Sequence, residues 1–182
     1  NYYRSVCARA CDKKEIRKDQ ELNLYGVKGS QKVFETVPGM YALCKNPELK
    51  TTDWDWPMDS DGLVYVLTDL YERYGKPMMI AENGLGARDV LTEDGAVHDA
   101  YRIEFLMDHL NALERAVDLG VDLFAYCTWS FLDLMSTSNG YAKRYGLIYV
   151  NRDDKDLKDL ARIKKDSFYW YQKVIASNGR ER

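Results

Sequence analysis

The stretch of sequence that decides the fold runs from residue 60 to residue 84 and reads SDGLVYVLTDLYERYGKPMMIAENG. In its first part, apolar side chains recur every three or four residues, which predicts a helix with one buried face. Asp59 or Ser60 can cap the start of this helix, and Gly75 followed by Pro77 can end it. The predicted buried face consists of Leu63, Val64, Leu67, Leu70, Tyr71 and Tyr74.

The apolar run PMMIA at residues 77–81 follows this helix and predicts a fully buried parallel strand that ends at Glu82. Residues 99–129 then repeat the same order, with the sequence DAYRIEFLMDHLNALERAVDLGVDLFAYCTW. Asp99 can cap a second helix, Gly120 can close it, and residues 121–129 predict a second strand. The predicted buried face of the second helix consists of Tyr101, Phe105, Leu106, Leu110, Leu113 and Val117. Helix, strand, helix and strand in alternation predict an α/β fold with a parallel sheet covered by helices.

Two shorter elements are predicted beyond the second strand, and a less regular region precedes the first helix. The run GLIYV at residues 146–150 predicts a short strand, and residues 167–175 predict a closing helix with packed aromatic side chains. Residues 1–59 are broken by glycine and proline and give no long period. We therefore expect residues 1–182 to form a single domain, with an irregular region over 1–59 and regular elements over 60–182.

Composition excludes several classes of function. The chain has 182 residues, with 26 Lys and Arg against 29 Asp and Glu, and a formal net charge of -3. This balance gives no general attraction for phosphate backbones, so a nucleic-acid partner is not expected. The longest apolar run, residues 121–132, is too short to span a membrane and contains Asp122. With no visible secretory signal, a cytoplasmic location is the default expectation.

No cofactor or metal is expected either. His98 and His109 lack the neighbours of a metal site. The four cysteines, Cys7, Cys11, Cys44 and Cys127, show no paired spacing and are interpreted as ordinary thiols.

Glu82 is the first candidate for chemistry. It stands directly after a buried strand, where a carboxylate is costly to bury unless it faces a polar cleft or a partner. Active sites of parallel α/β folds lie at the carboxyl ends of the strands. On position alone, the favoured interpretation is a structural strand-end glutamate that pairs with an arginine or caps the next loop.

A second group of polar side chains follows the second strand: Trp129, Ser130, Asp133, Ser136, Ser138, Asn139, Lys143, Arg144 and Tyr145. Hydroxyls, an amide and two cations suit an anionic, hydroxyl-rich ligand such as a phosphorylated sugar. The composition is equally consistent with a solvated loop in which Lys143 and Arg144 face water.

Four separated strings of the chain resemble the C-terminal part of glycoside hydrolase family 1, especially its 6-phospho-β-glucosidase branch. They are NYY at 1–3, IAENG at 80–84, WSFLDLMSTSNGYAKRYGLIYVNRDD at 129–154 and KKDSFYWYQKVIASNG from 164. The resemblance implies the C-terminal portion of a (β/α)8 barrel, from the end of barrel strand 6 through strand 8 and the closing helix. It also implies a retaining glycosidase.

By this resemblance Glu82 is the nucleophile. In a retaining mechanism two carboxyl groups lie about 5 to 5.5 Å apart across the scissile bond, and one of them attacks the anomeric carbon. The resemblance further implies that Asn1 and Tyr3 contact the sugar and orient the nucleophile. Trp129 matches the tryptophan that forms a platform under the sugar ring.

A phosphate clamp is implied for Ser136, Lys143 and Tyr145. Ordinary β-glucosidases of the family resemble one another in having a glutamate and a tryptophan where this chain has Ser136 and Thr137, and that glutamate would repel a 6-phosphate. By this resemblance, the hydroxyl, the ammonium and the phenol of these three residues donate hydrogen bonds to the phosphate oxygens. Thr137 is small where the phosphogalactosidases of the family have a tryptophan, so the resemblance implies 6-phospho-β-glucosides as substrate, with 6-phospho-β-galactosides as the runner-up.

One departure from the family is that the Asn-Glu-Pro string of the acid/base carboxylate does not occur in these 182 residues. A partial barrel also exposes strand edges and apolar surface. We therefore expect negligible hydrolysis by the isolated chain and self-association through the exposed barrel edges. A non-catalytic phosphosugar-binding or assembly role is the alternative from another class.

Overall fold

The computed structural model describes residues 49–182, and all structural statements below concern that range. In chain order its elements are α1 (Ser60–Tyr74), β1 (Met78–Asn83), α2 (Ala100–Asp118), β2 (Leu123–Thr128), β3 (Ile148–Val150), β4 (Arg162–Lys164) and α3 (Asp166–Ala176). The predicted alternation of helix, strand, helix and strand is confirmed, as are the short strand near residue 148 and the closing helix. Strand β4 was not predicted.

Helix α1 begins and ends at the residues that the sequence indicates. The Asp59 carboxylate accepts a hydrogen bond from the Gly62 amide at 2.8 Å, which satisfies one free amide of the first turn. Gly75 adopts a left-handed conformation, with φ of 55°, and donates to the Tyr71 carbonyl. The expected buried face is wrong at its C-terminal end, because Leu70 and Tyr74 are exposed.

Helix α2 buries part of the predicted face, since Leu106 and Leu113 are buried as expected. Tyr101 and Val117 are exposed, whereas Arg102 and His109 are buried together with apolar residues. Asp99 precedes the helix, but its side chain makes no capping hydrogen bond. The prediction failed here because an apolar pattern cannot reveal a helix face that packs against buried charges.

Strands β1 and β2 are parallel neighbours. Met78 lies opposite Leu123, Ile80 opposite Tyr126 and Asn83 opposite Thr128, so the two carboxyl ends lie side by side. The core between this sheet and the helices is formed by Leu63, Val64, Leu67, Ile80, Ala112, Leu113, Ala116 and Val121. This arrangement places the loops that follow β1 and β2 at the same edge of the sheet.

The prediction that the first strand is fully buried is wrong. Helices cover one face of the sheet, and Met79 and Phe124 are 47% and 64% exposed. Within residues 49–182 the sheet contains two strands, so each strand has one neighbour. Exposed apolar side chains on such a sheet are what a portion of a barrel presents.

The C-terminal part of the chain packs beside this unit. Strands β3 and β4 are antiparallel, with Ile148 opposite Lys164 and Val150 opposite Arg162. All three residues of β3 are buried. Helix α3 follows β4 directly, and its Phe168 ring lies 6.3 Å from the ring of Phe131. Across residues 49–182, the helices are too short or too polar to cross a bilayer.

Candidate active site

Glu82 lies at the carboxyl end of β1 with its side chain exposed. Its neighbour Asn83 is buried and ties the two strands together. The Asn83 side-chain oxygen accepts from the Tyr126 hydroxyl at 2.7 Å, and its backbone carbonyl accepts from the Trp129 amide at 2.7 Å. The backbone next to Glu82 is therefore held in place by hydrogen bonds to Tyr126 of β2 and to Trp129.

Position 84 requires a glycine because the backbone of Trp129 lies against it. A Cβ atom at this position would lie 1.7 Å from the backbone oxygen of Trp129, which no side chain can tolerate. Trp129 stands just after β2, with 38% of its surface exposed, and a cis peptide bond joins it to Ser130. The Glu82 strand end and Trp129 are thus in direct backbone contact.

Ser136, Lys143 and Tyr145 are brought together in the loop after β2, and all three are buried. The side chains of Ser136 and Tyr145 are hydrogen bonded. The Lys143 ammonium lies 5.5 Å from the centroid of the Tyr145 ring. The interpretation that Lys143 faces water is wrong, since the residue is 2% exposed. A hydroxyl, a phenol and an ammonium therefore converge below the surface.

Burial raises the pKa of the Tyr145 phenol, and the hydrogen bond with Ser136 offsets part of this rise. Tyr145 is therefore a protonated hydrogen-bond donor at neutral pH. A neutral donor next to a lysine ammonium is suited to an anionic ligand, because neither group repels it.

The backbone holds this loop in a fixed shape. Ser136 and Gly140 exchange two backbone hydrogen bonds of 3.0 Å. Gly140 has φ of 57°, a conformation that favours glycine, and the Tyr141 amide donates to the Asp154 carboxylate at 2.7 Å. Ser136 is therefore positioned by its own turn.

The loop after β1 is joined to the loop after β2. Ala87 and Arg144 exchange two backbone hydrogen bonds of 2.9 Å. A Cβ atom on Gly86 would lie 2.4 Å from Cε of Lys143, so the absent side chain leaves room for the lysine. Gly86 lies four positions after Glu82, and an extended chain of that length spans at most about 14 Å. Glu82 is therefore four positions from the glycine that packs against Lys143.

A buried cluster of charged side chains supports both loops, and the sequence analysis missed it. The ion-pair cluster consists of Asp89, Asp99, Arg102, Asp133, Arg144 and Lys165. Three carboxylates balance three cations, which is the condition under which charges are tolerated in an interior. The cluster connects the loop after β1, helix α2, the loop after β2 and the start of α3.

Arg102 anchors the first half of the ion-pair cluster. Its guanidinium donates to both carboxylate oxygens of Asp89, at 2.7 and 2.9 Å, and to Asp99 at 2.8 Å. Burial alone would lower the pKa of Arg102, but the two carboxylates outweigh it and the pKa is raised. Asp99 also accepts from the Ser167 amide and hydroxyl, at 2.8 and 2.6 Å. The Asp99 carboxylate thus joins α2 to α3 instead of capping its own helix.

Asp133 anchors the second half of the ion-pair cluster. It accepts from Lys165 at 2.8 Å and from Arg144 at 3.0 Å, and one of its oxygens accepts from the Gly146 amide at 2.9 Å. Lys165 also pairs with Asp89. Burial, together with the nearby Arg102, lowers the pKa of Lys165. Asp133 and Arg144, expected as ligand-lining or solvated residues, are instead internal supports of the loop.

Both histidines have structural contacts. His98 is exposed, and its Nδ1 lies 2.8 Å from the Asp166 carboxylate, a contact that raises its pKa. His109 is buried, its Nδ1 donates to the Phe105 carbonyl at 2.7 Å, and burial lowers its pKa. In the part of the chain that the structure describes, no group of His, Cys, Asp and Glu side chains is placed to hold a metal ion.

The structure also contains a cavity of about 610 Å³ that the sequence analysis did not anticipate. It lies between residues 49–60, the loop after β1 and helix α2, and Asp53, Arg88 and His109 are among its lining residues. Glu82, Ser136 and Tyr145 are not in its lining. The predicted sugar contacts Asn1 and Tyr3 lie outside the described residues.

Comparison with known sequences identifies the family. The family described as "Glycosyl hydrolase family 1" matches residues 1–180. The chain belongs to glycosyl hydrolase family 1. It is 47% identical over 180 residues to aryl-phospho-beta-D-glucosidase BglC of Bacillus subtilis (strain 168), a match that covers 98% of this chain and 37% of the relative. A 6-phospho-beta-glucosidase of Dickeya chrysanthemi is 50% identical over 139 residues, 76% of this chain and 30% of the relative.

Solved structures of family 1 confirm the fold. The family 1 β-glucosidase from Thermotoga maritima matches with a TM-score of 0.69 and 38% identity, over 75% of this chain and 30% of that protein. The described residues are therefore a portion of a family 1 (β/α)8 barrel, as the sequence predicted. The chain spans about a third of the length of these curated relatives, 37% of the first and 30% of the second.

Proposed function

We propose that this chain forms the nucleophile and phosphate-binding part of a family 1 6-phospho-β-glucosidase. The buried trio of Ser136, Lys143 and Tyr145 is the observation that carries the proposal. It lies beside the strand end that bears Glu82, and the relatives named above are phospho-β-glucosidases. Together these features favour a hexose whose C1 is near Glu82 and whose 6-phosphate is near Lys143.

In the proposed reaction, the Glu82 carboxylate attacks the anomeric carbon while the glycosidic bond to the leaving group breaks. A covalent glycosyl-enzyme forms, and water then releases the sugar with retention of configuration. A second carboxyl group must first protonate the leaving oxygen and then activate the water. We assign that carboxyl group to residues outside these 182, since the Asn-Glu-Pro string is absent from them.

The phosphate clamp acts by donating hydrogen bonds to the phosphate oxygens. The Ser136 hydroxyl, the Lys143 ammonium and the Tyr145 phenol supply donors, and charge-assisted bonds of this type are roughly twice as strong as neutral ones. Neither Ser136 nor Thr137 carries a negative charge that would repel the phosphate. By the family resemblance, Thr137 in place of the tryptophan of phosphogalactosidases favours 6-phospho-β-glucosides, and 6-phospho-β-galactosides are the runner-up substrates.

Three further residues complete the proposal. The exposed Trp129 ring provides a platform beneath the sugar, and Asn1 and Tyr3 contact the sugar and orient Glu82. The proposed substrates are phosphorylated β-glucosides delivered by sugar uptake systems, so we assign the enzyme to the cytoplasm.

Replacing Lys143 with Met tests the clamp. In a barrel-length protein that contains this chain, we expect KM for a chromogenic 6-phospho-β-glucoside to rise by about 10- to 100-fold, because one charged hydrogen bond is worth about 1.5 to 3 kcal/mol. KM for the unphosphorylated glucoside should stay within about 2-fold, since the lost interaction concerns the phosphate alone. Steady-state kinetics with both substrates measures the ratio.

Lys155→Met is the matched control, because Lys155 is an exposed lysine further along the chain. It should leave both KM values unchanged. An equal rise of KM for both substrates in Lys143→Met would remove the clamp from the proposal. The same assay with the 6-phospho-β-galactoside distinguishes the two substrate classes.

We also propose that the isolated chain self-associates through its exposed barrel surfaces. Met79 and Phe124 are exposed on the sheet, and an apolar groove of about 500 Å³ lies between β2 and α3, with Phe131 and Tyr171 in its lining. Apolar surface of this kind is normally covered by another part of a fold or by a partner. A second copy of the chain is the occupant available in a pure preparation.

Sedimentation velocity at rising concentration tests this proposal. We expect the mean sedimentation coefficient to increase between micromolar and about 100 micromolar chain, and Phe124→Lys to reduce the increase because it charges the exposed face. Tyr74→Lys, at an exposed position of α1, is the control. A concentration-independent monomer with cooperative unfolding would contradict self-association.

A further inference from the structure

A tight turn before α1 presents two tryptophans to the loop after β2. Thr51 and Pro57 form a short antiparallel bridge, and the Thr52 amide donates to the Trp56 carbonyl at 2.8 Å. The Thr52 hydroxyl accepts from the amides of Trp54 and Trp56, at 3.3 and 3.2 Å. The backbone of this turn therefore fixes where both indole rings begin.

The Lys143 ammonium lies over the indole of Trp56. The distance from Nζ to the ring centroid is 3.5 Å, well within the range of about 6 Å for a cation–π contact. The same ammonium is 5.0 Å from the Trp54 ring and 5.5 Å from the Tyr145 ring. Three aromatic rings from two separate loops thus surround one charged group.

A third loop completes this enclosure. Gly86, in the loop after β1, packs against the lysine stem, and a Cβ atom there would come 2.4 Å from Cε of Lys143 and 2.9 Å from the Tyr145 ring. The lysine chain therefore has space on that side only because residue 86 is glycine. Its ammonium is confined between the turn before α1 and the two loops that form the candidate site.

An aromatic ring and a carboxylate affect a neighbouring cation differently. A lysine has a flexible four-carbon stem, and ordering it costs conformational entropy when it binds a ligand. The ring face attracts the ammonium without neutralising its charge, so the ordered cation keeps its attraction for an anion.

We propose that Trp56 is a positioning residue for the phosphate clamp: its indole holds the Lys143 ammonium, with Gly86 leaving space for the lysine stem, in the place where it meets the phosphate of a sugar phosphate. This inference rests on the proposed function, because it assigns Trp56 a role through Lys143. Trp56 acts on specificity for phosphorylated substrates and takes no part in glycosidic bond cleavage.

Kinetics of a barrel-length protein containing this chain test the inference. In Trp56→Leu we expect KM for a 6-phospho-β-glucoside to rise by about 3- to 30-fold, the range of a partly buried cation–π contact. KM for the plain glucoside and kcat for both substrates should stay within about 2-fold. Trp56→Phe keeps a ring face and should restore most of the loss. Trp54→Leu removes the more distant ring and should have the smaller effect.

Gly86→Ala provides a second variant that leaves Trp56 in place. Its methyl group displaces the end of the lysine side chain, so it should raise KM for the phosphorylated substrate in the same selective way. The double variant Trp56→Leu/Lys143→Met should be no worse than Lys143→Met alone, because Trp56 acts through the lysine. Thermal unfolding of each variant accompanies the kinetics.

The outcomes separate this inference from the proposed function. If Lys143→Met shows no selective effect, the clamp itself is wrong and the inference fails with it. If Lys143→Met is selective but Trp56→Leu and Gly86→Ala are not, the clamp stands and the positioning role is overturned. Additive losses in the double variant, or equal losses with both substrates, would also overturn it.

Discussion

Replacing Glu82 with Gln should lower kcat for a 6-phospho-β-glucoside by about 10⁴- to 10⁶-fold in a barrel-length protein that contains this chain. Gln is nearly isosteric with Glu but cannot form the glycosyl-enzyme, and loss of a covalent nucleophile has an effect of this size in other hydrolases. Glu82 is exposed at the strand end, so the substitution should leave the thermal unfolding temperature unchanged within about 2 °C.

Stopped assays over long times, with active-site titration, measure the residual rate. Glu93→Gln is the matched control, because Glu93 is an exposed glutamate in the loop that follows the same strand. A residual kcat within 10-fold of the parent protein would exclude Glu82 as the nucleophile. If the parent protein itself has no hydrolase activity but binds glucose 6-phosphate, the non-catalytic alternative replaces the enzyme proposal.

Azide gives a second, independent reading of the role of Glu82. In Glu82→Ala, azide can occupy the space of the lost carboxylate and attack the anomeric carbon from that face. Its nitrogen forms a bond to C1, the glycosidic bond breaks, and the product is the α-glycosyl azide. We expect azide to accelerate loss of substrate and to yield that anomer. Formation of the β-glycosyl azide would indicate that Glu82 is the acid/base residue instead.

The order of helices and strands could be predicted from the sequence because it depends on side chains close together along the chain. Leu63 and Leu67 lie one turn apart on α1 and are buried, as their spacing indicates. Ile80 is the centre of a short apolar run and is fully buried in β1. The period of apolar residues predicts which side of a helix or strand is buried, and for these residues the prediction is correct.

The degree of burial could not be predicted in the same way. Met79 and Phe124 belong to apolar runs, and both are exposed because residues 49–182 cover one face of the sheet. A run of apolar residues indicates that the strand is buried when the whole barrel is present. It does not reveal how much of that barrel is present in the chain.

The supports of the candidate site were missed for a different reason. Lys165 pairs with Asp89 across 76 positions and with Asp133 across 32, and no local pattern connects such residues. Arg102 lies on a helix among apolar residues, where a charged side chain is usually assigned to the surface. Their partners become visible only when the loops after β1 and β2 are placed beside each other.

Gly84 and Gly86 show where the sequence carried a signal whose meaning required the structure. Both glycines follow Glu82 within four residues, and a turn explains them equally well from the sequence alone. In the structure, each is required by a close approach, of the Trp129 carbonyl to Gly84 and of the Lys143 stem to Gly86. The two contacts join the end of β1 that carries Glu82 to Trp129 and Lys143, the two residues that we assign to the sugar ring and the phosphate.

The isolated 182-residue chain should not hydrolyse a chromogenic 6-phospho-β-glucoside at a measurable rate. General acid catalysis contributes about 10²- to 10⁴-fold, and the string that would supply the acid is absent from the chain. The chain also matches only 37% of the length of the relative BglC, so under the proposed function we expect most sugar contacts to come from outside these 182 residues. Misplacement of the sugar relative to Glu82 adds a further loss.

A chimera distinguishes missing catalytic parts from a defective chain. The part of BglC that precedes its matched region, joined to this chain, supplies the rest of the barrel and should restore hydrolysis. The same chimera with Glu82→Gln should be inactive, which shows that the restored activity depends on this chain. Robust turnover by the 182 residues alone would contradict the assignment of the acid/base carboxyl to other residues. An inactive chimera that folds with the thermal stability of BglC would show that Glu82 and its strand end cannot serve as the nucleophile side of a family 1 site.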